Sequence, residues 1–125
     1  MRKSTEAWNA ACDAVVSLVD QGSTYSAGRL NLYDADSTII TYLSLSNPAF
    51  MDATDGTSFA NPVFDATAFR DATAAIYDVV DRDGSWAWDG TVSDYAGLGD
   101  WKLPSTVIYK DSTVAVNSFF YAVPR

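Results

Sequence analysis

The aspartates are the residues in this chain whose type and spacing could do chemistry. Fifteen of the sixteen acidic residues are Asp, and Asp78, Asp81 and Asp83 come shortly before Gly84. This spacing has a faint likeness to an oxygen-rich calcium loop, but the bidentate Glu that such a loop needs is missing downstream. Because Asp-Gly pairs are also common in hairpin turns, we assign the cluster to a turn and predict no metal site.

Catalysis has little support in the sequence. Two carboxylates held about 5 to 10 Å apart can hydrolyse a glycosidic bond, but among fifteen Asp some pair meets that distance by chance. The chain has no histidine, which removes the commonest general base and the commonest metal ligand. The single cysteine, Cys12, lies on the apolar side of a predicted helix and is interpreted as a buried, inert thiol. We therefore predict that the protein is not an enzyme and uses no cofactor.

Trp86, Trp88 and Trp101 are candidates for a surface aromatic patch. Trp86 and Trp88 are two residues apart, which places them on one face of a predicted strand, and we expect Trp101 to lie near them. An exposed patch of this kind could stack on sugar rings or anchor a protein partner. A buried one would simply belong to the core, and the sequence leaves these alternatives open.

The overall charge limits the classes of partner. The chain has 125 residues, a formal net charge of −8 and a pI of about 4.1. Nucleic acids and anionic membrane surfaces both require basic residues, so we expect neither as a partner. No apolar run approaches the length of a membrane span, and acidic residues interrupt the segment after Arg2 and Lys3, which makes a poor signal peptide.

The first part of the chain predicts one amphipathic helix over residues 4–21. Ser4 or Thr5 can cap it, and Gly22 suits its end. The helix could pack on its own sheet or dock on a neighbouring subunit. We divide the chain into this N-terminal helix, residues 1–22, and a β domain, residues 23–125. The predicted apolar stripe consists of Trp8, Ala11, Cys12, Val15, Leu18 and Val19.

The remainder predicts strands joined by tight turns. Alternating apolar residues flank the turn at 34–37 and predict a central hairpin within residues 28–50. A second hairpin is predicted over residues 73–92, turning at Asp83-Gly84, with a further turn at Asp89-Gly90. A short strand follows at 101–103, and a last hairpin is predicted from Val107 to Val123. Seven to nine short strands with regular turns indicate an all-β fold, an antiparallel β-sandwich with one N-terminal amphipathic helix.

Residues 51–72 are the least regular part of the chain. This segment is either a long loop with short strands or an excursion that contacts a partner. It carries Phe59, Phe64 and Phe69. These three aromatic residues are candidate partner-binding residues, together with Trp8, Val15 and Val19 of the helix.

Several pieces occur in a characteristic order. The helix leads to GRLNLY at 28–33, then to TYLSLSNPAF at 41–50, to the AIYD and DRDG pieces within 75–84 with DGTV at 89–92, and to VAVNSF at 114–119. In this order they resemble a family of small virion structural proteins of tailed bacteriophages. The likeness covers residues 28–123 and is most specific in the strand that ends in NPAF. It is weakest in residues 51–71 and 95–104, where a partner-specific surface is expected to differ.

This resemblance implies a β-sandwich that assembles on the phage particle. We predict a non-enzymatic capsid cement or decoration protein that is made in the host cytoplasm and binds the major capsid protein on the capsid surface of the virion. The partners would be virion proteins and further copies of the chain, in a homo-oligomer or a multi-copy lattice. A neck or tail component and a carbohydrate-binding module on the virion surface remain alternatives.

Overall fold

The computed structural model describes residues 2–125 and is mostly β, with one N-terminal helix, as the sequence predicts. The helix is α1, Thr5–Ser17, and a single 3-10 turn, Leu18–Asp20, extends it. The strands are β1 Arg29–Tyr33, β2 Ile39–Ser44, β3 Thr57–Phe59, β4 Ala66–Thr67, β5 Ala72–Thr73, β6 Ile76–Val80, β7 Trp86–Asp94, β8 Trp101–Leu103, β9 Val107–Ile108, β10 Thr113–Val114 and β11 Phe120–Ala122.

Helix α1 packs on its own chain. The Ser4 hydroxyl accepts a hydrogen bond from the Ala7 N–H at 3.2 Å, which caps the helix start. Cys12, Val16 and Val19 are buried against the strands, and the pKa of the Cys12 thiol is raised by burial and by the neighbouring charge of Asp13. Of the two alternatives for the helix, the structure therefore shows packing on the helix's own β domain.

Both predicted early hairpins form, and they meet in one sheet. Its strand order is β2-β1-β6-β7-β8. Leu30 pairs with Leu43 on one side and with Val79 on the other, so these residues share the core face. The Asp34 carboxylate accepts hydrogen bonds from the N–H groups of Asp36 and Thr38, which closes the first turn.

The prediction that all pairing is antiparallel is wrong at the end of this sheet. Strand β8 runs parallel to β7, with Val92 opposite Trp101. The predicted turn at Asp89-Gly90 is also wrong, because both residues continue β7 and pair with Asp78 and Tyr77. An Asp-Gly pair favours a turn only when no neighbouring strand holds the backbone extended, and here β6 does so.

The predicted last hairpin does not form. Strand β9 pairs with β5, β10 pairs with β4, and β11 pairs with β3, each as a separate two-stranded sheet. The three C-terminal strands thus pair with strands in residues 57–73 instead of with one another. The result is one curled five-stranded sheet with three small strand pairs.

Candidate functional site

Trp86 and Trp88 lie on opposite faces of the sheet, contrary to the prediction. Trp88 is opposite Val79 and Trp86 is opposite Val80, with a β-bulge between the two positions. The extra residue cancels the two-residue alternation, because two residues of β7 now span one step of β6. Trp86 is 66% exposed, whereas Trp88 packs against the core.

Trp101 does not belong to a surface patch either. It is 1% exposed, and its ring makes edge-on contacts with Tyr77 and Phe119 at centroid distances of 6.0 and 5.8 Å. The three tryptophans of the predicted patch therefore have three environments. Trp86 is on the surface, Trp88 is at the edge of the core, and Trp101 is within it.

A different set of aromatic side chains comes together on the outer face of the sheet. The Arg29 guanidinium lies between the rings of Tyr25 and Tyr42, with its central carbon 4.6 and 5.1 Å from their centroids. Phe69 packs edge-on against Tyr42 at 5.6 Å. Val80 on β6 pairs with Arg29 on one side and with Trp86 on the other. Trp86 therefore lies two strands from Arg29, in the same row of side chains across the sheet. We call these five residues the aromatic face.

The linker before β1 holds Tyr25 in this face. The Asp83 carboxylate accepts hydrogen bonds from the Ser23 N–H and from both the N–H and the hydroxyl of Thr24, at 2.7–3.0 Å. The bond from Ser23, and then those from Thr24, hold the pKa of Asp83 below its usual range. The second hairpin turn therefore fastens the linker, and the linker places Tyr25 over Arg29.

The 51–72 segment follows the free edge of β2. Its backbone donates from Phe64 to Ser44 and from Phe69 to Ile40, at 3.0 and 2.8 Å. The Arg70 guanidinium forms a 2.6 Å ion pair with Asp34, which helps to hold the pKa of that carboxyl below its usual range. The segment is thus a long loop with short strands that covers an edge strand.

The candidate partner-binding residues divide into exposed and internal positions. Phe59, Phe64 and Phe69 are all exposed, as a contact role requires. Val19 is fully buried against its own β domain and cannot touch a partner of the folded chain, whereas Val15 is half-buried. Trp8 is also engaged within the chain, because its indole N–H donates to the Val123 carbonyl at 2.6 Å.

A groove opens on another side of the molecule, at a gap in the curled sheet. Strand β8 pairs only with the last three residues of β7. The earlier residues of β7 pair with β6 on one edge and have no strand on the other, and residues 117–122 lie opposite that open edge. The space between them has a volume of about 660 Å³. We call it the aromatic groove. Its aromatic lining consists of Tyr77, Trp88, Tyr95, Phe120 and Tyr121.

Tyr77 is the most deeply set of these residues, at 4% exposed. Burial raises the pKa of Tyr77 to about 12, with the carboxylates of Asp100 and Asp89 adding to the rise. The Trp88 indole N–H is close enough to oppose this shift, but it is buried without the geometry of a hydrogen bond. Asp89, Asp100, Lys102, Asn117 and Ser118 supply the polar part of the lining.

Neither surface includes a metal centre or a membrane span. Within residues 2–125, no three His, Cys, Asp or Glu side chains are grouped so that they could hold a metal ion. Within the same residues, no helix has both the length and the apolar character that are needed to span a bilayer.

No family model, curated protein or solved structure matches this chain. The likeness to phage virion proteins therefore stays a prediction from the motifs, and the two surfaces must be judged on their own geometry.

Most members of the two surfaces were missed from the sequence. Tyr25, Arg29 and Tyr42 carry no pattern that separates them from other polar or aromatic residues. The outward alternation of Arg29 and Tyr42 along β1 and β2 could have located two of them. The groove is formed by separate segments that only the tertiary fold brings together.

Proposed function

We propose that this chain is a non-enzymatic structural protein of a bacteriophage virion, a capsid cement or decoration protein that binds the major capsid protein. The aromatic face is the observation that carries the protein-binding part of the proposal. The order of motifs described above supports the virion context. In this proposal, the curled sheet and the small strand pairs are the two layers of a modified β-sandwich.

The composition of the aromatic face suits a protein interface. Tyr, Trp and Arg are the residue types that contribute most to binding energy at such interfaces, and Lys and Glu are depleted there. The face holds Tyr25, Tyr42 and Trp86 around Arg29, and it presents them on a sheet whose opposite side packs against the core. A rigid support of this kind reduces the entropy lost on binding.

The 51–72 segment would extend this contact surface. Phe64 hydrogen-bonds through its backbone to Ser44, at the end of the row that contains Arg29, so its exposed ring lies at the margin of the aromatic face. Phe59 comes earlier in the chain and packs on Phe120 at 5.6 Å, which suits it to a second, smaller contact.

The mechanism would be stabilisation by mass action. A protein that binds the assembled shell better than its free subunits shifts the equilibrium toward the shell. Many copies, placed across the joints between subunits and in contact with one another, would resist internal pressure together. The net charge of −8 would disfavour adhesion to packaged DNA and suits a position on the outer surface.

The test uses purified particles that lack this protein. We expect the chain to bind along the shell in many copies and to raise the temperature at which the genome escapes. A double variant, Tyr42→Ala with Trp86→Ala, should bind at least about tenfold more weakly. Tyr95→Ala removes an exposed tyrosine from the groove instead and serves as the matched control, with binding unchanged.

Other outcomes would redirect the proposal. Binding of a few copies at one vertex or along the tail would indicate a neck or tail component. Full binding by the double variant would remove the aromatic face from the interface.

A further inference from the structure

The aromatic groove has the form of a ligand site that the proposed function does not use. Its volume of about 660 Å³ lies within the range of small-molecule sites in proteins. Trp88 and Tyr121, 4.8 Å apart between ring centroids, belong both to its wall and to the aromatic core, which makes the wall rigid. The groove is open along one side, so a chain molecule could enter without a movement of the fold.

The Tyr77 hydroxyl is an unused polar group in this groove. Tyr77 is 4% exposed and lines the groove, and its hydroxyl is not one of the fully buried polar atoms, so it faces the open space between the walls. It lies beside Gly90, where a Cβ would sit 2.7 Å from the hydroxyl and 2.8 Å from an Asp100 carboxylate oxygen. A hydroxyl that faces the groove can both donate a hydrogen bond to a ligand there and accept one from it.

Two further lining groups are fixed in position before any ligand arrives. The Asp100 carboxylate accepts from the Thr91 N–H at 3.1 Å, which leaves its second oxygen available. The Asn117 amide donates to the Tyr95 hydroxyl at 2.9 Å and holds that ring at the groove wall. Such preorganised groups lose little entropy when a ligand binds.

The polar lining selects the chemistry of the ligand. Asp89 and Asp100 are acceptors and Lys102 is a donor, so the site suits groups that both donate and accept, as hydroxyls do. The two carboxylates outnumber the single ammonium of Lys102, so the lining opposes a polyanion. Faces of Tyr and Phe rings beside such groups match the apolar face of a sugar ring.

We propose that the aromatic groove binds a neutral saccharide chain, with a sugar ring against Tyr95 and Phe120 and its hydroxyls bonded to Tyr77, Asp89 and Lys102. This site is separate from the aromatic face and goes beyond the capsid-binding function. The protein would then attach a particle surface to a neutral glycan.

The test is titration calorimetry on the purified full chain at neutral pH. The probes are cellohexaose, maltohexaose, mannohexaose, xylohexaose and chitohexaose, with hexagalacturonate as the acidic probe. We expect at least one neutral probe to bind with a Kd between about 10 µM and 1 mM. The acidic probe should bind more weakly than that sugar.

Variants connect the binding to the groove. Tyr95→Ala should weaken binding of that sugar by roughly tenfold, and Asp89→Asn by a similar factor, while Tyr95→Phe keeps most of the affinity. Tyr42→Ala, on the aromatic face, is the matched control and should bind like the unchanged chain. Circular dichroism on each variant confirms that the fold is kept.

Three results would overturn the proposal. They are silence across all five neutral probes, tighter binding of hexagalacturonate than of any neutral probe, and neutral-sugar binding that neither Tyr95→Ala nor Asp89→Asn reduces. None of these results affects binding to particles, so the saccharide proposal and the capsid proposal fail independently.

Discussion

On the aromatic face, Trp86 and Tyr42 leave about half or more of their surface in solvent, whereas in the groove Tyr77 and Trp88 are largely enclosed by the core. The two surfaces use the same residue types. The exposed side chains of the face contribute little to the core, whereas Tyr77 and Trp88 in the groove wall also support the fold. Binding and stability should therefore be separable on the face and coupled at Tyr77 and Trp88 in the groove, and the following predictions test that difference.

The largest effect is expected where an aromatic residue is entirely internal. Trp101→Ala should lower the free energy of unfolding by about 3–5 kcal/mol, because it leaves a cavity beside Tyr77 and Phe119. Trp86→Ala should change it by less than about 0.5 kcal/mol. Chemical denaturation of both variants measures the contrast, and equal losses would show that Trp86 is not a surface residue.

The next largest effect is the pH dependence of folding stability that Tyr77 causes. The folded pKa of Tyr77, about 12, lies above the ordinary value of 10.0, so the neutral phenol is favoured in the folded chain. The contribution of this neutral phenol to the free energy of unfolding, at most ~3 kcal/mol, is complete below pH 10 and is lost as the pH rises from 10 to 12. Unfolding titrations above neutral pH should show this loss, and Tyr77→Phe should reduce it. An unchanged slope in that variant would contradict the assignment.

A smaller effect is expected where the helix meets the 51–72 segment. Gly56 has a φ of +72°, and a Cβ there would overlap the Trp8 indole ring. Gly56→Ala should therefore cost about 1–3 kcal/mol through backbone strain and displacement of Trp8. Thermal unfolding measures it, with Gly84→Ala as a comparison that shares a positive φ but has no contact below 3.9 Å. If both variants lose equal stability, packing of Trp8 on Gly56 contributes nothing.

The smallest effect concerns the support of the aromatic face. Because the folded pKa of Asp83 is below its ordinary value of 3.8, the bonds to Ser23 and Thr24 are retained above that pH and lost as the pH falls through the lower folded value. Amide NMR shifts of Ser23 and Thr24 should titrate with a midpoint below 3.8. Asp83→Asn should remove the titration, and its persistence would mean that another group controls the linker.

Local patterns predicted those parts of the fold in which neighbours in sequence are also neighbours in space. The hairpins at 28–50 and 73–92 were predicted because a turn and two alternating runs specify them almost completely. The last hairpin failed because Thr113 and Phe120 pair with strands more than 45 residues earlier, a choice made by the tertiary fold. Nothing in residues 107–123 alone indicates those partners.

The site residues follow the same division. Phe59, Phe64 and Phe69 were predicted as partner-binding residues from an irregular, aromatic segment; all three are exposed, and the contact itself stays a prediction. The shared face of Trp86 and Trp88 was lost to one bulge residue, which sequence alternation cannot reveal. Val19 was predicted to contact a partner because an apolar helical stripe has the same sequence pattern whether it packs on its own core or on another subunit.

The most direct test of the central claim is an electron cryomicroscopy map of particles to which the purified chain has been added back. The capsid proposal predicts density for the protein at every equivalent position on the shell, with Tyr42 and Trp86 against the major capsid protein. Density confined to one vertex or to the tail, or an aromatic face turned toward solvent, would contradict it.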